Sequence, residues 1–259
     1  MNRTVVITGA SAGIGEQIAM ELGRRGDALV LAARTADSLQ RVAAKTGART
    51  HVVTADVTRR ADVERIRDEA IRAFGHVDVW INNAGKGILR PVLELTDDDV
   101  DEMIDVNVKS ALYGMQAIAP HFMDRGRGHI VNISSFLARV PIASPRSAYS
   151  AAKAALNTLT ANLRVDLRRT HPGIHVSVVM PGLVSTDFAS HARGSTGAMP
   201  PGPIGSPMAP QTPEEVAAIV ADLLDRPVPE VYTNPASRAL ATRYFDDVGR
   251  FEAESQQSR

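Results

Sequence analysis

The stretch TVVITGASAGIGEQIAMEL, residues 4–22, decides the fold of this chain. Its first five residues are β-branched and form the kind of run that fills a strand buried on both faces of a parallel sheet. Gly9, Gly13 and Gly15 then predict a turn that lets another molecule approach the backbone closely. Apolar residues follow at helical spacing, namely Ile14, Ile18, Ala19 and Leu22. The loop therefore opens onto a helix N-terminus, where free N–H groups and the helix dipole suit a phosphate. The alternative at this point is a glycine-rich turn that binds nothing, since the spacing is G-x-x-x-G-x-G rather than G-x-G-x-x-G.

The composition argues against several classes of protein. The 29 Lys and Arg residues balance the 29 Asp and Glu residues, so no overall field would recruit nucleic acid or an acidic membrane. The chain has no cysteine, which excludes disulfides and thiolate metal ligands, and we predict no metal site. It shows no leader and no apolar run near the ~20 residues of a membrane helix, so we expect a cytoplasmic protein. Its length fits one domain over residues 1–259.

Six further segments have the apolar character of strands, and helical segments separate them. These strands are predicted over 28–33, 50–54, 77–81, 129–133, 174–179 and 229–232. Alternating strands and helices predict parallel strands joined by right-handed crossovers. The predicted fold class is therefore α/β, with a mostly parallel seven-stranded sheet and helices on both of its faces.

The end of the second strand indicates which cofactor a dinucleotide-binding fold of this kind would prefer. An acidic side chain there hydrogen-bonds the ribose 2′-hydroxyl of NAD, but here Ala33 and Arg34 replace it. The planar guanidinium of Arg34 suits a 2′-phosphate instead, so the sequence favours NADP(H), with NAD(H) as the second choice. The alternative is that Arg34 is a solvated surface residue.

Polar residues also follow the third and fourth strands. Asp56-Val57 follows the third, where ligands collect in open α/β sheets, although Asp56 could instead cap the helix from Arg59. Asn82-Asn83-Ala84-Gly85 follows the fourth. Two adjacent amides at a strand end imply a hydrogen-bonded polar network beside the glycine loop.

Two helices carry the remaining polar candidates. Asn107 lies in the middle of a long helix predicted from Thr96 to about Phe122, where an asparagine usually faces solvent. Tyr149 and Lys153 lie one turn apart on one face of a helix predicted over 148–169. A cation at that spacing would stabilise the phenolate and lower the pKa of the tyrosine, which a proton-transfer catalyst near neutral pH requires.

TGASAGIG, NNAG, YSAAK and PGLVST occur in this order between Thr4 and Thr186, and they resemble the motifs of the short-chain dehydrogenase/reductase family. The resemblance implies a Rossmann-type, doubly wound fold and a catalytic tetrad. The tetrad would be Asn107, Ser135, Tyr149 and Lys153. By resemblance, Tyr149 exchanges the substrate proton, Ser135 donates to the substrate oxygen, Lys153 also holds the nicotinamide ribose, and Asn107 completes a proton relay. Ser134 is the rival for the serine role, because Ser135 precedes the tyrosine by one residue more than the family's usual spacing.

The motifs together predict the residues that bind the cofactor. They are Gly9, Ser11, Gly13, Ile14, Gly15, Arg34, Asp56, Val57, Asn83, Ala84, Gly85, Tyr149, Lys153, Pro181, Gly182, Val184 and Thr186. The predicted function is an NADP(H)-dependent oxidoreductase that interconverts a ketone or aldehyde and an alcohol. The alternatives are an NAD-dependent alcohol or sugar dehydrogenase and, in a different class, a non-catalytic NADP-binding regulator.

The segments outside these motifs choose the substrate in this interpretation. Residues 187–213 are rich in glycine and proline and are predicted to form a substrate lid, and residues 139–147 are predicted to line the pocket. Residues 250–259 are predicted to form a flexible tail. The partner is a small-molecule carbonyl compound or alcohol, and relatives suggest a homodimer or homotetramer formed through the two long helices.

Overall fold

A computed structural model describes residues 2–194 and 209–257. Within these residues the strands are β1 (Thr4–Thr8), β2 (Ala28–Ala33), β3 (Thr50–Thr54), β4 (Val79–Asn82), β5 (Gly128–Ile133), β6 (Ile174–Met180) and β7 (Glu230–Tyr232). They form one sheet in the order β3-β2-β1-β4-β5-β6-β7, and every neighbouring pair is parallel. The prediction of an α/β fold with a seven-stranded parallel sheet is confirmed.

Helices connect the strands and complete the chain. They are α1 (Gly13–Arg24), α2 (Ala36–Thr46), α3 (Arg60–Phe74), α4 (Asp97–Ile104), α5 (Ser110–Arg125), α6 (Ser147–Arg168), α7 (Pro213–Asp225), α8 (Pro235–Asp246) and α9 (Val248–Gln257). A π-helical turn, Asp105–Lys109, joins α4 to α5. Short 3-10 turns occur at Val92–Glu94 and Phe136–Ala138.

The sheet is apolar on both faces because alternate side chains of its strands enter two different cores. Val5 and Ile7 of β1 pack in one core with α1, α2 and α7. Val6 of β1 and Trp80 of β4 pack in the other core with α3, α5 and α6. Burial on both faces explains why the strands read as continuous apolar runs.

Three expectations about helices and loops need correction or qualification. The helix predicted from Thr96 to Phe122 is interrupted by the π-helical turn. Where a flexible tail is predicted over 250–259, the structure has α9 as far as Gln257, with Phe251 buried against Tyr244, and the flexibility of this segment stays a prediction. Of the predicted lid, residues 195–208 lie outside the described residues, and residues 187–194 form turns.

The strand order places a crevice at the carboxyl end of β1. The chain runs outward from β1 through β2 to β3 on one side, and from β4 to β7 on the other. In open parallel sheets the ligand lies where the order reverses in this way. None of the helices in residues 2–194 and 209–257 combines the length and hydropathy needed to cross a bilayer.

Candidate active site

The glycine loop between β1 and α1 is shaped by close contacts that leave no room for larger side chains. Gly9 has φ of +66°, and a Cβ there would lie 2.8 Å from the Cα of Ala84. A Cβ at Gly15 would lie 2.3 Å from the carbonyl oxygen of Gly9. At the start of α1, Ala12 provides no side-chain cap for the first N–H groups of the helix. The loop therefore presents uncapped N–H donors and the positive end of the dipole, which fit a phosphate group.

Asn83 ties this loop to the end of β4. Its side-chain amide donates to the carbonyl oxygens of Thr8 (3.0 Å) and Gly9 (3.1 Å). The backbone N–H groups of Asn83 and Ala84 donate to the Thr8 hydroxyl at 3.1 and 3.3 Å. The Asn83 amide thus fixes the shape of the loop, which places Ala84 and Gly85 directly beside it.

Asn82 belongs to a different polar network inside the second core. It accepts from the Trp80 indole (2.8 Å) and donates to Asn132 (2.8 Å), which in turn donates to Thr160 of α6 (2.8 Å). The two adjacent amides are therefore both hydrogen-bonded, as predicted, but only Asn83 contacts the glycine loop. Asn82 joins β4, β5 and α6 behind the site.

The π-helical turn buries Asn107 against the end of β4. Its amide donates to the carbonyl oxygens of Lys86 (2.9 Å) and Met103 (3.1 Å), and its oxygen accepts from the Lys86 N–H at 3.2 Å. A Cβ on Gly85 would lie 3.0 Å from this oxygen and 3.4 Å from Lys153 Nζ. Asn107 is only 1% exposed, so the solvent-facing alternative is wrong. The structure brings Asn107 and Lys153 together around Gly85.

Tyr149 and Lys153 project from α6 into a nearly water-free environment. Lys153 is 3% exposed, its Nζ donates to the carbonyl oxygen of Ile133 at 2.9 Å, and burial lowers its pKa to about 8. The Nζ atom lies 5.8 Å from the centre of the Tyr149 ring. Burial raises the pKa of Tyr149, while a hydrogen bond with Ser135 and the charge of Arg146 oppose this rise. Arg146 is thus a second cation near the phenol, in addition to the expected one, Lys153.

The two serines at the end of β5 have different partners. The Ser134 hydroxyl donates to the backbone carbonyl of Lys153 at 3.3 Å, which joins β5 to α6. The Ser135 hydroxyl accepts from the N–H of Leu137 at 3.2 Å and also acts on Tyr149, whose pKa it lowers. Of the two rivals, Ser135 is therefore the one beside the tyrosine.

The ends of β2 and β3 lie on the other side of the glycine loop from the predicted tetrad, Asn107, Ser135, Tyr149 and Lys153. Arg34 follows β2, is exposed, and has no ion pair or hydrogen bond from its side chain in the part of the chain that the structure describes. Asp56 follows β3, where its carboxylate accepts from the N–H (3.0 Å) and hydroxyl (2.7 Å) of Thr58. The alternative that Asp56 caps α3 is wrong, because the side chain closes this turn instead. Val57 packs against the second core.

The segment after β6 reaches the glycine loop from the opposite direction. A Cβ on Gly13 would lie 3.6 Å from Cγ2 of Thr186, so these two motifs face each other. Backbone hydrogen bonds between Ser185 and Gln211 (2.9 Å) and between Gln211 and Leu183 (2.9 Å) hold the segment. Its first residues also join β5, since the carbonyl oxygen of Pro181 accepts from the N–H of Phe136 at 2.8 Å. Gly182 and Val184 lie between these anchors, half-buried.

Arg146 is a site residue that the motifs did not single out. It precedes α6, in the segment predicted to line the pocket. Its guanidinium carbon lies 5.9 Å from the centre of the Phe188 ring, which itself lies 5.6 Å from the Tyr149 ring. Its Nη1 atom is buried without a hydrogen-bond partner, and burial lowers the pKa of the group. The only sequence signal was an arginine one helical turn before the tyrosine.

The described residues contain no group of three or more His, Cys, Asp or Glu side chains that could hold a metal ion. The arrangement instead combines an anion-binding loop with a buried tyrosine, serine, lysine and asparagine at neighbouring strand ends. A phenol and an ammonium group in a desolvated pocket can exchange protons with a ligand. The loop and the four side chains together fit a dinucleotide and a small molecule beside it.

Comparisons with known proteins agree with this geometry. The sequence pattern of the family described as short chain dehydrogenase matches residues 3–196. An uncharacterized oxidoreductase of Staphylococcus aureus is 38% identical over 186 residues, which cover 71% of this chain and 79% of that protein. A short-chain dehydrogenase/reductase from Burkholderia phymatum in complex with NAD superposes with a TM-score of 0.85 at 27% identity, covering 96% of this chain and 94% of that one. An alcohol dehydrogenase from the archaeon Thermococcus sibiricus complexed with 5-hydroxy-NADP gives 0.78 at 28% identity, with 92% and 98% covered.

Proposed function

The chain belongs to the short-chain dehydrogenase family, whose matched relatives include oxidoreductases, and on that premise we propose that it is an NADP(H)-dependent enzyme that interconverts a ketone or aldehyde and an alcohol. The observation that carries the proposal is the convergence of Asn107, Ser135, Tyr149 and Lys153 beside the glycine loop. A protein that only bound a nucleotide would have no need for a desolvated phenol and lysine at this position.

The geometry of these side chains supports the roles proposed for them. When bound, a nicotinamide dinucleotide supplies hydride chemistry at a carbonyl carbon. The Tyr149 hydroxyl gives its proton to the carbonyl oxygen in reduction and takes it back in oxidation. Ser135, which lies beside Tyr149, donates to the same substrate oxygen. Lys153, with a pKa of about 8, can hold or release a proton near neutral pH to restore the tyrosine.

The residues around Lys153 keep this relay in place. The carbonyl oxygen of Ile133 accepts one of its protons, which leaves two ammonium donors for the tyrosine and for a ribose hydroxyl. Asn107 fixes the backbone of Lys86 just beyond Gly85, so the wall facing Lys153 is held by the π-helical turn. Removing water from this pocket strengthens each of these interactions.

Arg34 supports NADP(H) over NAD(H) in this proposal. The side chain is exposed and unpaired among the described residues, so it can turn to a 2′-phosphate without breaking an existing ion pair. Position 33 is an alanine, whereas a carboxylate there would repel that phosphate. The cytoplasmic location and the homodimer or homotetramer stay predictions.

The test is a fluorescence titration with NADPH and with NADH, on wild type, Arg34→Ala and the control Arg72→Ala. Arg72 is exposed in the last turn of α3, the helix that connects β3 to β4. We expect NADPH to bind at least tenfold more tightly than NADH, about 1.4 kcal/mol. Arg34→Ala should remove this margin and Arg72→Ala should keep it. Equal binding of both cofactors to wild type would contradict the NADP preference.

A second variant separates an enzyme from a regulator. Tyr149→Phe keeps the ring that packs on Phe188 but removes the proton donor. We expect it to bind NADPH like wild type and to reduce no carbonyl compound at a measurable rate. Wild-type protein that binds NADPH but turns over no member of a broad panel of ketones and aldehydes would favour the regulator.

A further inference from the structure

We propose that Arg146 binds a carboxylate of the substrate, so that this enzyme acts on oxo acids and hydroxy acids rather than on neutral carbonyl compounds. This inference rests on the proposed function and names the substrate class of the same site. It is carried by an unpaired, half-buried guanidinium beside the proton donor.

Charged residues around the mouth of the site leave Arg146 without an acidic partner. Three other cations and only two acids lie around Arg146 or its backbone neighbours; the cations are Lys86, Arg90 and Arg193, and the acids are Asp99 and Glu102. Asp99 pairs with Arg90 and Arg193, and Glu102 pairs with Lys86 and Arg193. Within the described residues no carboxylate reaches Arg146.

One nitrogen of the guanidinium is also shielded from water. Its Nη1 atom is buried against Gly87, where a Cβ would be 2.6 Å away, and it makes no hydrogen bond in the described structure. The ring of Phe188 covers another side of the group at 5.9 Å. An arginine stays protonated even when desolvated, so a buried donor of this kind is stabilised by a ligand anion. A carboxylate matches the planar fork of the guanidinium with two parallel hydrogen bonds.

The position of Arg146 relative to Tyr149 limits the size of the ligand. The two residues are three apart at the start of α6, and residues at that spacing have Cβ atoms about 5–6 Å apart. Phe188 contacts both, with its ring 5.6 Å from the ring of Tyr149. One small molecule can therefore place a carboxylate on Arg146 and a carbonyl oxygen on Tyr149 if a few bonds separate these groups. This favours 2-, 3- or 4-oxo acids.

The experiment compares each oxo acid with its own methyl ester, which keeps the carbonyl group and removes the charge. NADPH oxidation gives kcat/KM for both members of each pair, with wild type, Arg146→Met, Arg146→Lys and the control Arg72→Met. Because the charge of Arg146 also acts on Tyr149, its loss changes the rate with every substrate. The ratio of acid to ester within one variant cancels that shared effect.

We expect wild type and Arg72→Met to prefer at least one acid over its ester by tenfold or more. Arg146→Met should bring this ratio to about one, and Arg146→Lys should keep part of it, since an ammonium retains the charge but not the planar fork. NADPH binding by Arg146→Met should equal that of wild type, which shows that the variant is folded.

Several outcomes would overturn the inference. If wild type reduces the esters as well as the acids, or if Arg146→Met keeps the preference, Arg146 does not bind a carboxylate, although the enzyme still reduces carbonyl compounds. If wild type prefers only a phosphorylated ketone over its neutral parent, the anion that Arg146 binds is a phosphate rather than a carboxylate. If NADPH binds but no carbonyl compound is reduced, the proposed function fails first and the inference fails with it.

Discussion

Lys153 is a buried cation, and replacing it should change how the stability of the protein depends on pH. The side chain is 3% exposed and has one hydrogen bond, to a neutral carbonyl oxygen, with no carboxylate within salt-bridge distance in the described part of the chain. Burial lowers its pKa from the ordinary 10.5 to about 8. This difference corresponds to about 3 kcal/mol by which the folded protein is destabilised when the lysine is charged.

The sign of the effect follows from proton binding in the two states. Below about pH 8 the folded and unfolded chains both carry the proton, so the whole penalty is present. Between about pH 8 and the ordinary pKa of 10.5, the unfolded chain keeps the proton while the folded chain releases it. The free energy of unfolding therefore rises with pH. From about pH 7 to about pH 9.5 the contribution of Lys153 to this rise is about 2 kcal/mol.

The measurement is urea unfolding at several pH values, followed by the fluorescence of Trp80, the one tryptophan of the sequence. Wild type is compared with Lys153→Met, which fills a similar volume without a charge. The control is Lys45→Met, because the side chain of Lys45 is 59% exposed. Between about pH 7 and about pH 9.5, we expect the free energy of unfolding of wild type to rise by about 2 kcal/mol relative to that of Lys153→Met. The free energies of wild type and Lys45→Met should change with pH in parallel. A pH-independent difference between wild type and Lys153→Met would refute the reasoning.

Two further predictions use pairs of similar residues. Ser135→Ala should lower kcat/KM for carbonyl reduction by about 100-fold because it removes the hydroxyl beside Tyr149. Ser134→Ala should leave kcat/KM nearly unchanged in the same steady-state assay but lower the free energy of unfolding by about 1 kcal/mol, because it loses a hydrogen bond to α6. Gly9→Ala and Gly47→Ala both place alanine at a positive φ, but only Gly9 has backbone atoms where the Cβ would lie. Urea unfolding should therefore show Gly9→Ala to be at least about 1 kcal/mol less stable than Gly47→Ala.

The strands and the glycine loop could be predicted from the sequence because their causes are local. A β-branched run such as residues 4–8 is stiff and apolar over its whole length, and the structure buries all five residues. The turn that follows needs glycine at Gly9, whose φ is +66°. The structure's strands begin and end within about two residues of the predicted limits, because turn residues mark the limits in the sequence itself.

The residues of the helix alone do not predict the π-helical turn, although the family resemblance of Asn107 implies a bend there, because the partners of this side chain lie outside the helix. Asn107 makes two hydrogen bonds with the backbone of Lys86, which is 21 residues away in the sequence, besides one with Met103 in the turn before it. Within its own helix the asparagine only looks like a poor helix former. The last helix, α9, was missed for a similar reason, since Phe251 is buried by packing with Phe136 and residues of α8 rather than by any pattern in the polar segment around it.

The motifs predict the positions of residues in the site, but they do not predict the charges that those residues carry. The spacing of Tyr149 and Lys153 predicts that both lie on one face of a helix, and both are in α6, but it cannot tell how far each nearby cation keeps its charge as the pH rises. That depends on burial: Lys153 is desolvated enough to lose much of its charge above about pH 8, whereas a guanidinium at Arg146 keeps its charge in the same surroundings. A single helix start thus carries one cation that can give up its proton and one that cannot. The first suits a relay to the tyrosine, and the second suits a ligand anion held next to it.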